Sequence, residues 1–68
     1  MSTAMALRHA RRCAGLTQDD LAWRSGVGAK TIQRIEVGKS RGCLDSLDKL
    51  AIALDITIDD LRPRRDDA

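Results

Sequence analysis

The sequence predicts a small all-α domain. Its 68 residues include one Trp, no Phe or Tyr, and few of the β-branched residues that favour strands. Hydrophobic residues make up 43% and charged residues 32%, a balance typical of a globular domain rather than a disordered chain. No apolar run approaches the roughly 20 residues of a membrane span. Because no secretory signal is recognisable either, we expect a cytoplasmic protein with no membrane partner.

Glycines and capping residues predict two helices in the first third of the chain. The first spans about residues 4–14, where small apolar residues recur at helical spacing, and it ends at Gly15. Thr17 is a good N-cap for a second helix over residues 18–25. The two aspartates in its first turn favour the positive end of the helix dipole, and Gly26 ends it.

Three further helices follow. The third is predicted over residues 29–37 and ends at Gly38, so that only three residues separate it from the second. The fourth, over residues 44–54, has the cleanest apolar stripe, which consists of Leu47, Leu50, Ala51 and Leu54. A short fifth helix over residues 58–61 begins after Thr57. Residues 1–61 therefore form the predicted domain, and residues 62–68 form a tail too polar to order itself.

Charge is distributed unevenly along the chain. Residues 1–41 carry eight basic and three acidic side chains, a net charge of +5. Residues 42–68 carry four basic and seven acidic side chains, a net charge of −3. This asymmetry suggests a basic face that binds a polyanion and an acidic face turned away from it.

Few residues have the pattern of a catalytic or metal site. Cys13 and Cys43 lie thirty positions apart and outside any metal-ligand motif, so two reduced thiols are expected, with one disulfide as the alternative. His9 is the only histidine, which leaves a zinc site without ligands. Asp19 and Asp20 are explained by the helix start and are not a catalytic pair. We expect no metal, no cofactor and no enzymatic activity.

Two helices joined by a tight glycine-bearing turn, in the basic half of an all-α domain, outline a helix-turn-helix. The sequence runs Leu7-Arg8-x-x-Arg11-x-x-x-Gly15-Leu16-Thr17-Gln18-x-x-Leu21-Ala22 and continues in register through Gly26-Val27, Ile32-x-x-Ile35-Glu36-x-Gly38-Lys39 and Leu47-x-Lys49-Leu50-Ala51-x-Ala53-Leu54. Over about residues 7–61 it resembles the phage repressor and Cro-like helix-turn-helix family of DNA-binding regulators. The resemblance implies a compact five-helix, lambda-repressor-like domain. Gly28, Gly42 and Cys43 depart from residues that are common in the family and weaken helix ends.

The spacing along the third helix shows which of its sides is free. At about 100° per residue, Ile32 and Ile35 fall together on the side that must face the core. The opposite side presents basic and amide side chains that suit the base edges of the major groove. With the family resemblance, this pattern predicts base readout by Ala29, Lys30, Gln33 and Arg34. The alternative is an ordinary solvated helix face.

Other residues are expected to hold the DNA backbone or the helices. The start of the second helix offers free amides to a phosphate, and the loop after the third helix lies where family members contact phosphates. Contacts to the DNA backbone are therefore predicted for Thr17, Gln18, Thr31, Lys39, Ser40 and Arg41. The alternative for the loop is that it only connects two helices and is exposed to solvent. The resemblance further implies an ion pair between Arg11 and Glu36.

The predicted function is sequence-specific binding of double-stranded DNA by a transcriptional regulator of repressor or controller type. A homodimer on an inverted repeat is expected, and the family tends to dimerise around positions that match Ile56, Ile58 and Leu61; alternatively, these side chains only close the core. The alternative function is an antitoxin or another module that holds a protein partner. Trp23 has no core role, and it either marks a protein contact or covers neighbouring surface.

Overall fold

The computed structural model describes residues 2–62, and these residues form five helices and no strand. The helices are α1 (Thr3–Cys13), α2 (Gln18–Ser25), α3 (Ala29–Glu36), α4 (Leu44–Leu54) and α5 (Ile58–Leu61). The predicted all-α class is confirmed, and the predicted bounds of α2, α4 and α5 coincide with the structure. Most of the predicted polar tail, residues 63–68, lies outside the described residues. None of the five helices is long and apolar enough to cross a membrane.

Side-chain caps fix where α1 and α2 begin. Ser2 Oγ accepts a hydrogen bond from the Met5 amide at 3.2 Å, so α1 starts one residue earlier than predicted and also ends one residue earlier. At α2, Thr17 Oγ1 accepts from the Asp20 amide at 3.0 Å, and the Asp20 carboxylate accepts from the Thr17 amide at 3.1 Å. This reciprocal pair satisfies two amides that the helix leaves free. The hydrogen bond from the Thr17 backbone lowers the pKa of Asp20.

The third helix ends one residue before the predicted Val37. Val37 has φ −93° and ψ 2°, outside the helical region, and Gly38 follows in the left-handed conformation with φ 84°. The amides of Lys39 and Ser40 both donate to the Arg34 carbonyl, at 2.9 and 3.2 Å. The chain therefore leaves α3 in a tight hydrogen-bonded turn, which satisfies one of the carbonyls that the helix end exposes.

A single apolar core draws side chains from every helix. The largest fully buried side chains are Leu7, Leu21, Ile32, Ile35, Leu50 and Leu61. Around this core α1 packs against α3 and α5, α2 against α3 and α4, and α4 against α5. The core contains no Trp, Phe or Tyr, because the chain's single Trp, Trp23, is 89% exposed. The apolar part of the interior is therefore aliphatic.

The exposure of individual side chains bears on two of the predictions, the dimer surface and the two cysteines. Leu61, which belongs to the predicted dimer surface, is 0% exposed and cannot contact a second chain in this conformation, because α5 turns it into the core. Ile56 and Ile58 are half-buried and pack at the edge of that core. Cys13 and Cys43 are both free and exposed in the structure, in keeping with the expectation of two thiols.

Gly42 is the glycine whose missing side chain matters most for packing. Its φ is +77°, and a Cβ there would lie 2.8 Å from Ile35 Cδ1 and 3.2 Å from Leu47 Cδ2, both buried. Gly26 has a similar φ of +80°, but a Cβ there would meet nothing within 4 Å. The two positions therefore share backbone strain and differ in the space around them.

We predict that Gly42→Ala destabilises the domain more than Gly26→Ala. Gly26→Ala should cost about 1–2 kcal/mol, the strain of a left-handed residue with a Cβ. Gly42→Ala adds the cost of overpacking the core and should lose about 2–4 kcal/mol. Urea unfolding of both variants beside the wild type measures the difference. Equal losses would show that the contact with Ile35 and Leu47 relaxes at no cost.

Candidate nucleic-acid interface

The turn between α2 and α3 is tightly fixed. Gly26 adopts the left-handed conformation, with φ 80°, and its amide donates to the Ala22 carbonyl at 2.9 Å. The next residue, Val27, is buried, and its amide donates to Ser25 Oγ at 3.1 Å. Gly28 then serves as the N-cap of α3 without a side-chain hydrogen bond. The turn therefore anchors α3 through one buried valine and hydrogen bonds from two consecutive amides.

The two sides of α3 differ sharply in burial. Ile32 and Ile35 are completely buried, whereas Lys30, Gln33 and Arg34 are exposed on the other side. The side chains of these three exposed residues form no hydrogen bond or ion pair with other residues in 2–62. Ala29 is partly buried at the helix start, and Val37, just past its end, is 55% exposed. The four predicted base-reading residues lie on this side away from the core, and together with Val37 we call them the α3 face (residues 29, 30, 33, 34 and 37).

A buried carboxylate anchors the C-terminal end of α3. Glu36 is only 3% exposed. Its Oε2 accepts from Arg11 Nε at 2.7 Å, and its Oε1 accepts from Arg11 Nη2 at 3.0 Å and from Gln18 Nε2 at 2.9 Å. Arg11 lies on α1 and Gln18 starts α2, so this one side chain joins three helices. We call Arg11, Gln18 and Glu36 the polar anchor.

The anchor keeps Glu36 charged. Burial raises the pKa of the Glu36 carboxyl, but the hydrogen bonds from Arg11 and Gln18 and the positive charges of Arg11 and Arg8 outweigh it. The net effect is a pKa of Glu36 below its ordinary value. The same hydrogen bond to Glu36 raises the pKa of Arg11. Glu36 is therefore an ionised group inside the basic half, and its charge is neutralised within the domain.

Two arginine contacts extend the anchor and were missed by sequence reasoning. Arg11 Nη1 donates to the Leu16 carbonyl at 2.9 Å, which ties down the segment that leads into α2. Arg8 Nη2 donates to the Glu36 carbonyl at 3.1 Å, at the C-terminal end of α3. A basic residue placed at a helix C-terminus is a recognised stabilising arrangement, but nothing in the local sequence shows which helix end an arginine on α1 will reach.

The predicted backbone-contact residues fall into two groups. Thr31, Lys39, Ser40 and Arg41 are exposed, and Ser40 Oγ accepts from the Gly42 amide at 3.1 Å. The other two residues are partly engaged inside the domain. Thr17 caps α2, and the amide nitrogen of Gln18 is directed to Glu36 instead of being free. Gln18 keeps one N–H and its carbonyl oxygen for a further partner.

Most acidic side chains lie on other elements than the α3 face. Asp45 and Asp48 are exposed on α4, and Asp59 and Asp60 are exposed on α5. One of them is paired, since Lys49 Nζ lies 3.6 Å from Asp45 Oδ2. The exposed basic side chains of α3 and of the loop after it therefore lie on other elements than these four acidic side chains.

Gly26 lies in the left-handed conformation between the short helices α2 and α3, and one side of α3 is buried in the core. Its other side is basic, and the side chains there form no hydrogen bond or ion pair with the part of the chain that the structure describes. These features define a helix-turn-helix domain. In agreement with this, residues 4–64 match the profile of the family described as "Helix-turn-helix domain", and the chain belongs to that family. No curated protein and no solved structure matches the chain significantly. The helix-turn-helix is a DNA-binding motif, so family membership supports DNA as the partner and a regulator as the class of protein.

Replacing Glu36 tests the anchor through its pH dependence. Because the pKa of Glu36 is lower in the folded chain than the ordinary 4.5, its ionised form adds stability above that pH. This contribution is lost as the pH falls through the folded pKa. Glu36→Gln should cost about 2–4 kcal/mol at pH 7.

The stability difference between wild type and Glu36→Gln should be constant above about pH 5 and shrink below it. Thermal unfolding from pH 3 to pH 7 measures this difference. Asp48→Asn is the matched control, because it removes one exposed carboxylate from α4 and leaves both the helix caps and the anchor intact. A difference that stays constant down to pH 3 would contradict a stabilising ionised Glu36.

Proposed function

We propose that the protein is a sequence-specific, double-stranded DNA-binding transcriptional regulator of the phage repressor and Cro-like type, which inserts α3 into the major groove. The α3 face supports the proposal most strongly. Its basic and amide side chains are exposed and form no hydrogen bond or ion pair within residues 2–62, while Ile32 and Ile35 lock the other side into the core. An interface prepared for a ligand has this combination of free side chains and a rigid support.

The chemistry of the α3 face suits base edges. Gln33 is able to bond the N6 and N7 positions of adenine in a bidentate manner, and Lys30 and Arg34 are able to donate to the O6 and N7 acceptors of guanine. Ala29 and Val37 carry only methyl groups, which suit contact with the thymine methyl. The face therefore combines two kinds of hydrogen-bonding readout with apolar contacts at either end.

Two regions beside α3 suit the phosphates. The backbone N–H groups of Gln18 and Asp19, at the start of α2, form no hydrogen bond within residues 2–62, and free backbone N–H groups at a helix N-terminus bind anions. Lys39 and Arg41 supply positive charge in the loop after α3. Thr17, Thr31 and Ser40 add hydroxyl groups of the kind that contacts phosphate oxygens. Such contacts fix the register of α3 on the duplex without reading its sequence.

We infer a homodimer on an inverted repeat as the working form. One α3 face offers only three or four side chains to base edges, and a half-site of roughly 4–5 base pairs recurs too often to be selective in a genome. Two-fold pairing doubles the contacts and places half-sites about one helical turn apart. Because Leu61 is buried, the contact would use the half-buried Ile56 and Ile58.

An antitoxin-like role remains the second candidate, and Trp23 is the observation that favours it. An indole that is 89% exposed is an unusual surface residue, and tryptophan is enriched where proteins bind one another. A protein-binding role is compatible with DNA binding, since Trp23 does not belong to the α3 face. Trp23→Ala with unchanged DNA affinity and unchanged stability would show that the indole serves another partner or none.

Substitutions separate base reading from backbone contact. After selection of a bound sequence from random DNA, Gln33→Ala should cost about 1–3 kcal/mol per half-site on that sequence and relax preference at one or two positions. Arg41→Ala should weaken binding to matched and mismatched sites alike and reduce the slope of log affinity against log salt by about 1. Titrations at several salt concentrations measure both effects.

Lys49→Ala is the matched control for these titrations. It removes the same unit of charge as Arg41→Ala but from α4, outside the α3 face and its flanking loop. It should leave the affinity and the salt slope close to those of the wild type. If Gln33→Ala instead loses affinity equally on matched and mismatched DNA, Gln33 does not read bases.

The dimer has a separate test. Light scattering at micromolar concentration, with the selected DNA present, should give a mass of two chains per duplex. Ile56→Glu or Ile58→Glu should reduce the complex to one chain and weaken binding, whereas Ile52→Glu is the control, since Ile52 is 71% exposed on α4. A stable complex of one wild-type chain on an asymmetric site would contradict the dimer.

A further inference from the structure

The exposed side of α1 brings together two metal-ligating side chains that the DNA-binding surface does not use. His9 and Cys13 lie one helical turn apart and are both exposed. Their ligating atoms, His9 Nε2 and Cys13 Sγ, are 3.5 Å apart. Residues four apart in a helix share a face, and a hydrogen bond between the two side chains accounts for this separation.

This separation equals the spacing of two ligands on one tetrahedral zinc ion. With a Zn–S distance of about 2.3 Å, a Zn–N distance of about 2.0–2.1 Å and a tetrahedral angle of about 109°, the sulfur and nitrogen lie about 3.5 Å apart. Zinc and similar thiophilic ions prefer thiolate and imidazole ligands. The two ligating atoms therefore already have the separation that chelation of such an ion requires.

Although the sequence alone predicts no metal, we propose that His9 and Cys13, which the structure brings together, form a bidentate site for one thiophilic divalent ion of the zinc type. On binding, the Cys13 thiol gives up its proton to solvent, and Sγ and the unprotonated His9 Nε2 each donate an electron pair to the ion. No group of three or more His, Cys, Asp or Glu side chains within residues 2–62 is arranged to hold a metal. Two coordination positions therefore face solvent and carry water, and the ion exchanges readily.

Binding at this site should also stiffen α1. A metal that bridges two turns of one helix favours the helical state, because it binds the folded helix and not the extended chain. His9 lies in the middle of α1 and Cys13 is its last residue. Added zinc should therefore raise the thermal unfolding midpoint, in a manner that depends on both side chains.

Cobalt(II) titration of the reduced, untagged chain tests the proposal. The wild type should develop the near-ultraviolet charge-transfer band of a cobalt–thiolate bond, with one ion per chain, and should release protons as the band grows. Zinc should displace the cobalt and remove the band. Cys13→Ser should abolish the band, and His9→Gln should weaken binding by at least the roughly 10–100-fold that loss of an outer-shell partner costs a metal site.

Cys43→Ser is the matched control, since it removes the other exposed thiol, which lies at the start of α4. It should titrate like the wild type and keep the zinc-dependent rise in unfolding midpoint. Circular dichroism establishes that each variant folds, so that loss of the band reports loss of a ligand. The proposal is overturned if the wild type shows no band, if the band survives in Cys13→Ser, or if it is lost in Cys43→Ser.

Discussion

The ion pair between Arg11 and Glu36 is the constraint on which the arrangement of the first three helices depends. Desolvation of a carboxylate that is only 3% exposed opposes its ionised form. The two hydrogen bonds from Arg11, the one from Gln18 and the positive charges nearby offset that cost. A bidentate guanidinium contact also fixes direction as well as distance. Glu36 therefore sets where α3 ends relative to α1 and to the start of α2.

The contacts that hold the C-terminal end of α3 also fix the orientation of its exposed side. The helix is only eight residues long, too short to be stable alone, so its orientation comes entirely from tertiary contacts. Ile32 and Ile35 supply the apolar contacts, Val27 holds the turn before the helix, and Glu36 holds its last turn. The side chains that remain free then project together from one rigid surface. Because α3 is already held rigidly, binding a partner costs it little conformational entropy, and loss of such entropy is one of the terms that weaken binding.

Local signals made most of the fold predictable, and long-range contacts account for the rest. Glycines and caps at Thr17, Gly26 and Thr57 gave the bounds of α2 and α5, because a helix end is decided by a few neighbouring residues. The cap at Ser2 was missed, and α1 is displaced by one residue. The side chain of Gln18 was expected to be free for DNA, but its nitrogen lies on Glu36, eighteen positions away. Burial of Leu61 could not be predicted from the sequence either, since a four-residue helix has too few positions to define a buried side.

We propose that DNA binds to the α3 face, together with the start of α2 and the loop after α3. The most direct test is an amide NMR titration of the isotopically labelled chain with its selected duplex. If DNA binds there, the largest shift changes should fall on α3, on residues 17–19 and on residues 39–41, while the amides of α4 beyond Leu47 should change little. Shift changes concentrated on α4 and α5, with α3 unaffected, would contradict it.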